Sequence, residues 1–353
     1  MHTGTNKLFL SFLRQICYNH SIEQKGWKNI IDSHARKIDY IRISITDRCN
    51  LRCQYCTPED LPSIGHTEIL RFEEILEICK NAVKLGITKF KITGGEPLVR
   101  KGCVSFLRSL KAIPGVEQVT ITTNGVFLKD CLSELEDMGI DGINISLDTL
   151  NPETYEKMTR RNEFSRVWES IVASQNSKIP TKINCVLLKG HNDHEFFDLI
   201  HLARDYQLDV RFIEIMPIGY GKGFEGFDKK DLLEKIAEKY PDYEIETKIH
   251  GNGPASYVNI PGFKGSIGFI DAIHGKFCDQ CNRIRLTSDG ILKLCLYYEN
   301  GLDLKKYIRS GASSEELLSA MENIIYKKPA EHQFHLTAKE GTEEMKNMSQ
   351  IGG

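Results

Sequence analysis

The stretch Tyr40–Cys56, YIRISITDRCNLRCQYC, decides the fold. It opens with an alternating run, Tyr40–Thr46, that reads as a β-strand, then breaks into a loop carrying Cys49, Cys53 and Cys56. At CxxxCxxC spacing the three thiols can converge on one metal centre. A structural zinc site takes four ligands, and no fourth cysteine or histidine stands close by in the chain. Three thiolates instead leave one iron of a cubane 4Fe–4S cluster without a protein ligand, open to a chelating small molecule.

Downstream of that loop, strands and helices alternate. Arg71–Gly86 predicts an amphipathic helix ended by glycine, and Lys89–Thr93 a second strand followed by a helix through Leu107 and Leu110. Gln118–Thr123 is a third strand, followed by a helix over Leu128–Gly139, and Gly142–Asp148 is a fourth. Lys182–Leu188 and Val210–Ile215 are the fifth and sixth, separated by a helix around His194–Tyr206. This alternation implies right-handed βαβ units and a parallel sheet. About six units fall short of the eight that close a full barrel, so the predicted fold is α/β, an incomplete (βα)6 TIM-like barrel. A doubly wound open sheet is the rival, and both place chemistry at the C-terminal ends of the strands.

After Met216 the pattern changes. Gly219–Phe227 reads as a glycine-rich linker and Asp228–Tyr240 as a helix, followed by short strands near Ser256–Ile260 and Ser266–Ile270 and helices from Leu302 to Tyr326. The predicted organisation is an extension over 1–31 without order, a partial barrel over 32–218, and a smaller α+β domain over 219–329 with a second cluster. A polar tail, 330–353, ends in Gly352 and Gly353. The first twenty residues have Lys7 and Arg14 around a short apolar run, but neither a small-residue cleavage site nor a long apolar core, so a signal or transit peptide is disfavoured.

Composition narrows the function. Lys and Arg total 46 against 48 Asp and Glu in 353 residues, which argues against a binder of duplex nucleic acid. No stretch approaches the ~20 apolar residues of a membrane span. Eleven cysteines are too sparse, at about 3% of the chain, for a disulfide scaffold, and free or metal-bound thiols in a reducing, cytoplasmic compartment follow.

Six of those cysteines form two groups. Far from the first triad, FCDQCNRIRLTSDGILKLC supplies Cys278, Cys281 and Cys295. Two short strands joined by Ser288–Gly290 would fold Cys295 back beside the pair, making a second three-thiol site. A Cys3His zinc site recruiting His274 is the alternative. Cys17, Cys79, Cys103, Cys131 and Cys185 stand singly and read as small buried hydrophobes or as part of the extension.

The first cysteine loop, with Thr93–Arg100 (TGGEPLVR) at the end of the second strand, resembles the radical S-adenosylmethionine (SAM) superfamily. That resemblance implies that the open iron chelates SAM and that an electron from the cluster splits it to a 5′-deoxyadenosyl radical, with the protein binding, aiming and shielding. Physically, Gly94 and Gly95 let backbone come close to a ligand, where exposed amide and carbonyl groups could receive the SAM amino group. KITGGEPL, ITTNG, NISLDT, KINCVLLKG, RFIEIMPIG, FCDQCNRIRLTSDG and the terminal MSQIGG narrow the resemblance, from about Asp32 to Gly353, to the GTP 3′,8-cyclases of molybdenum cofactor biosynthesis.

What this narrower resemblance implies can be placed residue by residue. Two 4Fe–4S clusters are held by the two triads, the second binding the guanine of GTP. The radical abstracts the ribose 3′ hydrogen and C3′ attacks purine C8. Tyr55, Gly95, Ser146 and Met216 match SAM contacts. Arg42, Lys91, Thr122, Lys182, Arg283 and Arg285 match GTP contacts, with Lys91 where the family commonly has arginine. Arg283 and Arg285 alternate along one strand, so they share a face and suit a triphosphate. Gly352 and Gly353 would thread into the active site and help position substrate. Thr57 replaces a usual methionine, and Asp271 and Ala272 a common Ser-Pro. The implied partners are GTP, a cyclic pyranopterin monophosphate synthase that takes the product, and a cytosolic electron donor; a homodimer is compatible. The competing readings are a peptide-modifying radical SAM maturase, which would carry a longer, cysteine-richer C-terminal region, and a non-enzymatic iron–sulfur sensor or zinc module.

Overall fold

The computed structural model describes residues 28–60, 64–248, 250–275, 277–334 and 344–352. Gly353 and most of the extension predicted for 1–31 lie outside them. The alternation read from sequence holds. β1 (Tyr40–Ser44), β2 (Lys89–Thr93), β3 (Gln118–Thr123), β4 (Gly142–Ser146), β5 (Thr181–Cys185) and β6 (Asp209–Ile213) pair in parallel, each beside the next. They are connected through α1 (Phe72–Lys84), α2 (Cys103–Lys111), α3 (Leu128–Asp137), α4 (Pro152–Thr159), α5 (Phe164–Ser174) and α6 (Phe196–Asp205). Two of these helices, α4 and α5, go beyond the sequence reading. Asn151 accepts from the backbone of Glu153 and Thr154, and Pro152 follows it, a helix-start signature that marks α4.

Among the described residues, the chain after Met216 forms no separate sheet. α7 (Lys229–Lys239), β7 (Glu244–Glu246) and β8 (Ser256–Asn259) lead to β9 (Ile267–Ile270), which pairs in parallel with β6. At the other end β10 (Arg283–Leu286) pairs in parallel with β1, and β11 (Ile291–Lys293) and β12 (Gly301–Asp303) follow antiparallel. α8 (Leu304–Arg309), α9 (Ser314–Tyr326) and the short α10 (Met348–Ile351) complete the order. The result is one twelve-stranded sheet whose eight central strands run parallel. The Gly219–Phe227 stretch is no free linker either. Its first residues turn as a 3₁₀ helix, and a Cβ on Gly221 would lie 2.5 Å from the Met216 carbonyl oxygen.

Parallel strands are usually apolar on both faces. Here they alternate. Ile41, Ile43, Phe90, Ile92, Val119, Ile121, Ile143, Ile145, Val210 and Phe212 are buried in one core with helix residues such as Ile75, Leu107, Leu135, Ile171 and Leu199. The opposite face carries Arg42, Lys91, Thr120, Thr122, Asn144, Ser146, Lys182, Asn184 and Arg211. One cavity of about 320 Å³ touches residues of all eight parallel strands, an arrangement that requires the sheet to curl around it. Among the described residues no helix is long and apolar enough to cross a membrane.

The alternation is directly testable. Ile121→Ala should cost about 2–5 kcal/mol, because Ile121 is fully buried under the helices. Thr120→Ala, one residue away and lining a cavity, should stay within about 0.5 kcal/mol. Equal losses in urea titrations of the two variants would contradict this inside-outside assignment.

Candidate active site

The first thiol triad sits on the loop leaving β1, and that loop is tied down on both sides. Gly95 and Glu96 donate their backbone N–H groups to the carbonyls of Thr46 (2.7 Å) and Arg48 (2.8 Å). A Cβ on Gly95 would stand 2.5 Å from the Arg48 carbonyl oxygen, so only glycine permits the approach. The close contact expected with a ligand is thus made with the cysteine loop itself, and the Gly95 amide is already used. On the far side Arg52 and Gln54 donate to the carbonyls of Thr159 (2.9 Å) and Met158 (3.0 Å) of α4. The Glu96 carboxylate accepts from Leu98 N, Thr123 Oγ1 and Asn124 N, and burial lifts its pKa to about 7.

The thiols themselves receive weak donors. Leu51 N–H approaches Cys49 Sγ at 3.4 Å, Asn124 Nδ2 at 3.8 Å, and Thr57 Oγ1 approaches Cys56 Sγ at 3.5 Å. Burial, with Glu96 nearby, pushes Cys49 up to about 12, and burial drives Cys53 well above its ordinary value. Without a compensating positive charge these groups stay protonated, so the loop suits a metal centre that would convert them to thiolates. Among the described residues neither thiol triad brings its three sulfurs within 4.8 Å of one another.

The β10–β11 hairpin returns Cys295 towards Cys278 and Cys281, and all six thiols line the same cavity. Burial raises Cys278, whereas for Cys281 burial is outweighed by Lys328 and Arg283, which bring it to about 7. His274, the alternative zinc ligand, is paired through Nδ1 with Glu214 and does not line this cavity.

Cations occupy the wall of the same cavity. Arg42, Lys91, Arg211, Arg283, Arg285 and Lys328 all line it. Arg42 is in register with Lys91 on one side and Arg285 on the other. Burial, then Arg211, Arg42, Lys182 and Arg283, holds Lys91 well below its ordinary pKa. Burial, then Arg42 and Arg283, lowers Arg285 to about 9. A ring of cations so crowded is built for a polyanion.

Comparison with known proteins fits this arrangement. Residues 43–203 match the Radical SAM superfamily and residues 208–334 match Molybdenum Cofactor Synthesis C. The GTP 3′,8-cyclase of Clostridium perfringens (strain 13 / Type A) is 42% identical over 323 residues, spanning 91% of this chain and 99% of that one. Its namesake from Moorella thermoacetica is 43% identical over 326 residues, with 91% and 99% covered. The chain belongs to the GTP 3′,8-cyclase family. The radical SAM part of that family binds a 4Fe–4S cluster and SAM. The crystal structure of Streptococcus suis SuiB bound to S-adenosylmethionine shares the fold, with a TM-score of 0.62 at 14% identity over 94% of this chain and 73% of that one.

Of the positions read from the cyclase resemblance, Tyr55, Gly95, Ser146, Met216, Arg42, Lys91, Thr122, Arg283 and Arg285 all line the thiol cavity. Tyr55 is fixed by its hydroxyl, which donates to Asp148 Oδ2 at 2.7 Å. Arg285 donates to the Gly352 carbonyl at 2.6 Å, and Arg283 stacks on Phe277. Lys182 stands apart. Its ammonium donates to Asp209 (2.8 Å) and to the His250 carbonyl (3.1 Å), beside a second cavity of about 800 Å³ at the N-terminal ends of the strands. The two cavities share Tyr40, Lys91, Arg211 and Gly253. Sequence reasoning missed Arg211, which is buried and whose Nε lacks a hydrogen-bond partner. An arginine at an inward position of an otherwise apolar strand was the available signal. It also missed Lys328.

Lys91→Met tests the cation ring. It removes a desolvated charge from among like charges, so the ligand-free protein should gain thermal stability while its affinity for a nucleoside triphosphate falls about tenfold or more. Stability and affinity falling together in calorimetry would show that Lys91 has an anionic partner in the resting protein.

Proposed function

We propose that this chain is a GTP 3′,8-cyclase acting as a radical SAM lyase at the start of molybdenum cofactor biosynthesis. The carrying observation is that two thiol triads and six cationic side chains line one cavity inside a single curled sheet. Cys49, Cys53 and Cys56 would hold the 4Fe–4S cluster that meets SAM, and Cys278, Cys281 and Cys295 a second one that meets the guanine. When loaded, the first cluster would supply the electron that splits SAM to methionine and a 5′-deoxyadenosyl radical; loss of the ribose 3′ hydrogen to that radical, closure of C3′ on purine C8, and one further electron from the external donor with a proton at N7 would give (8S)-3′,8-cyclo-7,8-dihydroguanosine 5′-triphosphate.

The protein's own contribution is positional. Arg42, Lys91, Arg211, Arg283 and Arg285 neutralise and orient the triphosphate, and Thr122 lines the same wall. A forked guanidinium recognises phosphate oxygens better than an ammonium, so Lys91 acts as a point charge where the others direct. Tyr55, Gly95, Ser146 and Met216 frame the SAM side. Lys182, bound to Asp209, helps only if the triphosphate reaches the strands' N-terminal ends. The tail closes the cavity. Ser349 N–H reaches the Cys56 sulfur, Ile351 is buried, and Gly352 meets Arg285. Holding the ribose still against the radical source, away from water, is the work left to the protein.

Ten free cysteines among the described residues suit a reducing cytoplasm. The natural partners are an electron donor there and the synthase that converts the cyclic product to cyclic pyranopterin monophosphate.

Anaerobic incubation with SAM, GTP and a reductant, followed by mass analysis, should give 5′-deoxyadenosine and an isomer of GTP. Deoxyadenosine without that isomer would disprove the cyclase assignment. Replacing Cys278, Cys281 and Cys295 by alanine should halve bound iron while SAM cleavage survives at least partly; zinc in the second site of anaerobically purified protein would count against it. Gly352→Leu should abolish cyclisation with both clusters retained, because any Cβ there lies 3.1 Å from Ser44 and Thr93 side-chain carbons. A parental rate in that variant would make the tail dispensable.

A further inference from the structure

Ahead of β1, Asp32–Arg36 forms a tight turn. The Asp32 carboxylate accepts the backbone N–H groups of His34 (2.9 Å) and Arg36 (3.0 Å), and Ala35 takes a left-handed φ of 61°. The turn aims the Arg36 side chain inward, where residue and partner are both more than nine-tenths buried. Arg36 Nε donates to Asp32 Oδ2 at 2.6 Å. The rest of the guanidinium does not meet another carboxylate. It donates to four backbone carbonyls: Cys278 (2.8 Å), Ala330 (2.7 Å), Pro329 (2.6 Å) and Lys328 (3.4 Å).

Those acceptors are not a random set. Cys278 belongs to the second thiol triad, and residues 328–332 form a strap across it. The Lys328 ammonium is bonded to the Leu294 carbonyl, next to Cys295, and His332 N–H points at the Cys278 sulfur. Ser33 N–H adds a bond to the Tyr326 carbonyl (2.9 Å) where α9 hands over to the strap. One buried guanidinium thus joins a turn near the start of the chain to a thiol ligand 242 residues later and to the strap about 50 residues beyond that. Residue 36 lies outside both matched family stretches, 43–203 and 208–334.

We propose that Arg36, oriented by Asp32, is a positioning residue for the second metal site, holding Cys278 and the 328–332 strap in the geometry that the cluster needs. The inference rests on the reading of Cys278, Cys281 and Cys295 as a cluster site. Planarity explains the choice of residue. Only a fork with five donors can satisfy one carboxylate and four carbonyls pointing at it from several directions, and lysine has three donors on one atom.

Arg36→Lys keeps the charge and loses the fork. Arg309→Lys is the matched control, because Arg309 also joins a carboxylate, Glu74, to two carbonyls, Thr67 and Ile69, but away from the thiols. The full chain is reconstituted anaerobically. Iron per chain, the electron paramagnetic resonance of the reduced protein with and without GTP, SAM cleavage without GTP, and the thermal midpoint are then measured. Arg36→Lys should lose up to about half of its iron. It should also change or lose the GTP-sensitive signal and keep SAM cleavage. Arg309→Lys should keep parental iron and signal at a comparable midpoint. Should Arg36→Lys fail to fold, the double variant Asp32→Asn, Arg36→Gln buries no unpaired charge and carries the same expectation. Parental iron and an unchanged signal in the variant overturn the proposal. So does an equal loss of iron and signal in Arg309→Lys, which would reduce Arg36 to general stability. A parental protein with iron for a single cluster overturns this proposal and the second-cluster reading together, whereas two clusters in parent and variant alike overturn this one alone.

Discussion

The structure is organised around cations turned inward on one face of its sheet. Arg285, Arg42 and Lys91 lie abreast on β10, β1 and β2, and Arg211 faces the same space from β6. In the ligand-free chain burial and mutual repulsion lower the pKa of Lys91, Arg42 and Arg285. Such a wall opposes folding, since desolvating like charges costs free energy. The opposite faces of the same strands offset it. Their isoleucines, valines and phenylalanines lie under a continuous helical layer, and a fully buried side chain of that size contributes about 1.5–3 kcal/mol. The two-residue period of a β-strand thus divides the work: outward residues pack the core and inward residues line the cavity.

The same separation recurs at the strand ends, with buried carboxylates in place of core residues. Glu96 joins the end of β2 to the residues after β3, and Asp148, beyond β4, joins Tyr55 of the cysteine loop to the backbone of Val186 beyond β5. Burial raises Asp148 to about 6. Each carboxylate is satisfied by backbone and hydroxyl donors. These ties set the position of the cysteine loop.

Much of this is legible in the order of the amino acids. The strand alternation, both thiol triads, the β10–β11 hairpin and the shared face of Arg283 and Arg285 follow from residue spacing alone, because period and turn chemistry are local properties. What is not legible depends on partners distant in the chain. The Gly219–Phe227 stretch has the composition of a linker, yet packing against Met216 and Ile215 makes it part of the fold. β9 and β10 look like strands of a separate small domain, and only their pairing with β6 and β1 shows that they extend one sheet. Arg211 escapes notice because an arginine in a strand usually reads as solvated, and its burial appears only once the sheet curls. Gly94 and Gly95 read as making room for a ligand, when the nearest thing they make room for is the cysteine loop.

The tail shows how such a charge imbalance can order a segment that composition would leave loose. Arg285 on β10 is the register partner of Lys293 on β11, so a half-buried and a fully buried cation stand side by side on one face. The answering groups come from the tail. Glu344 pairs with Lys293, and the Gly352 carbonyl accepts from Arg285 at 2.6 Å, with Lys346 held by Asp289 at 2.7 Å in the connecting turn. A polar chain with little to bury therefore gains its order from electrostatic need at the sheet. Its end must also be slim, since Gly352 at φ 76° sits against Ser44 and Thr93, the last residues of β1 and β2. The residue that binds the tail also belongs to the cation ring, so a ligand that drew Arg285 towards its own phosphates would be felt at once by the segment that covers it.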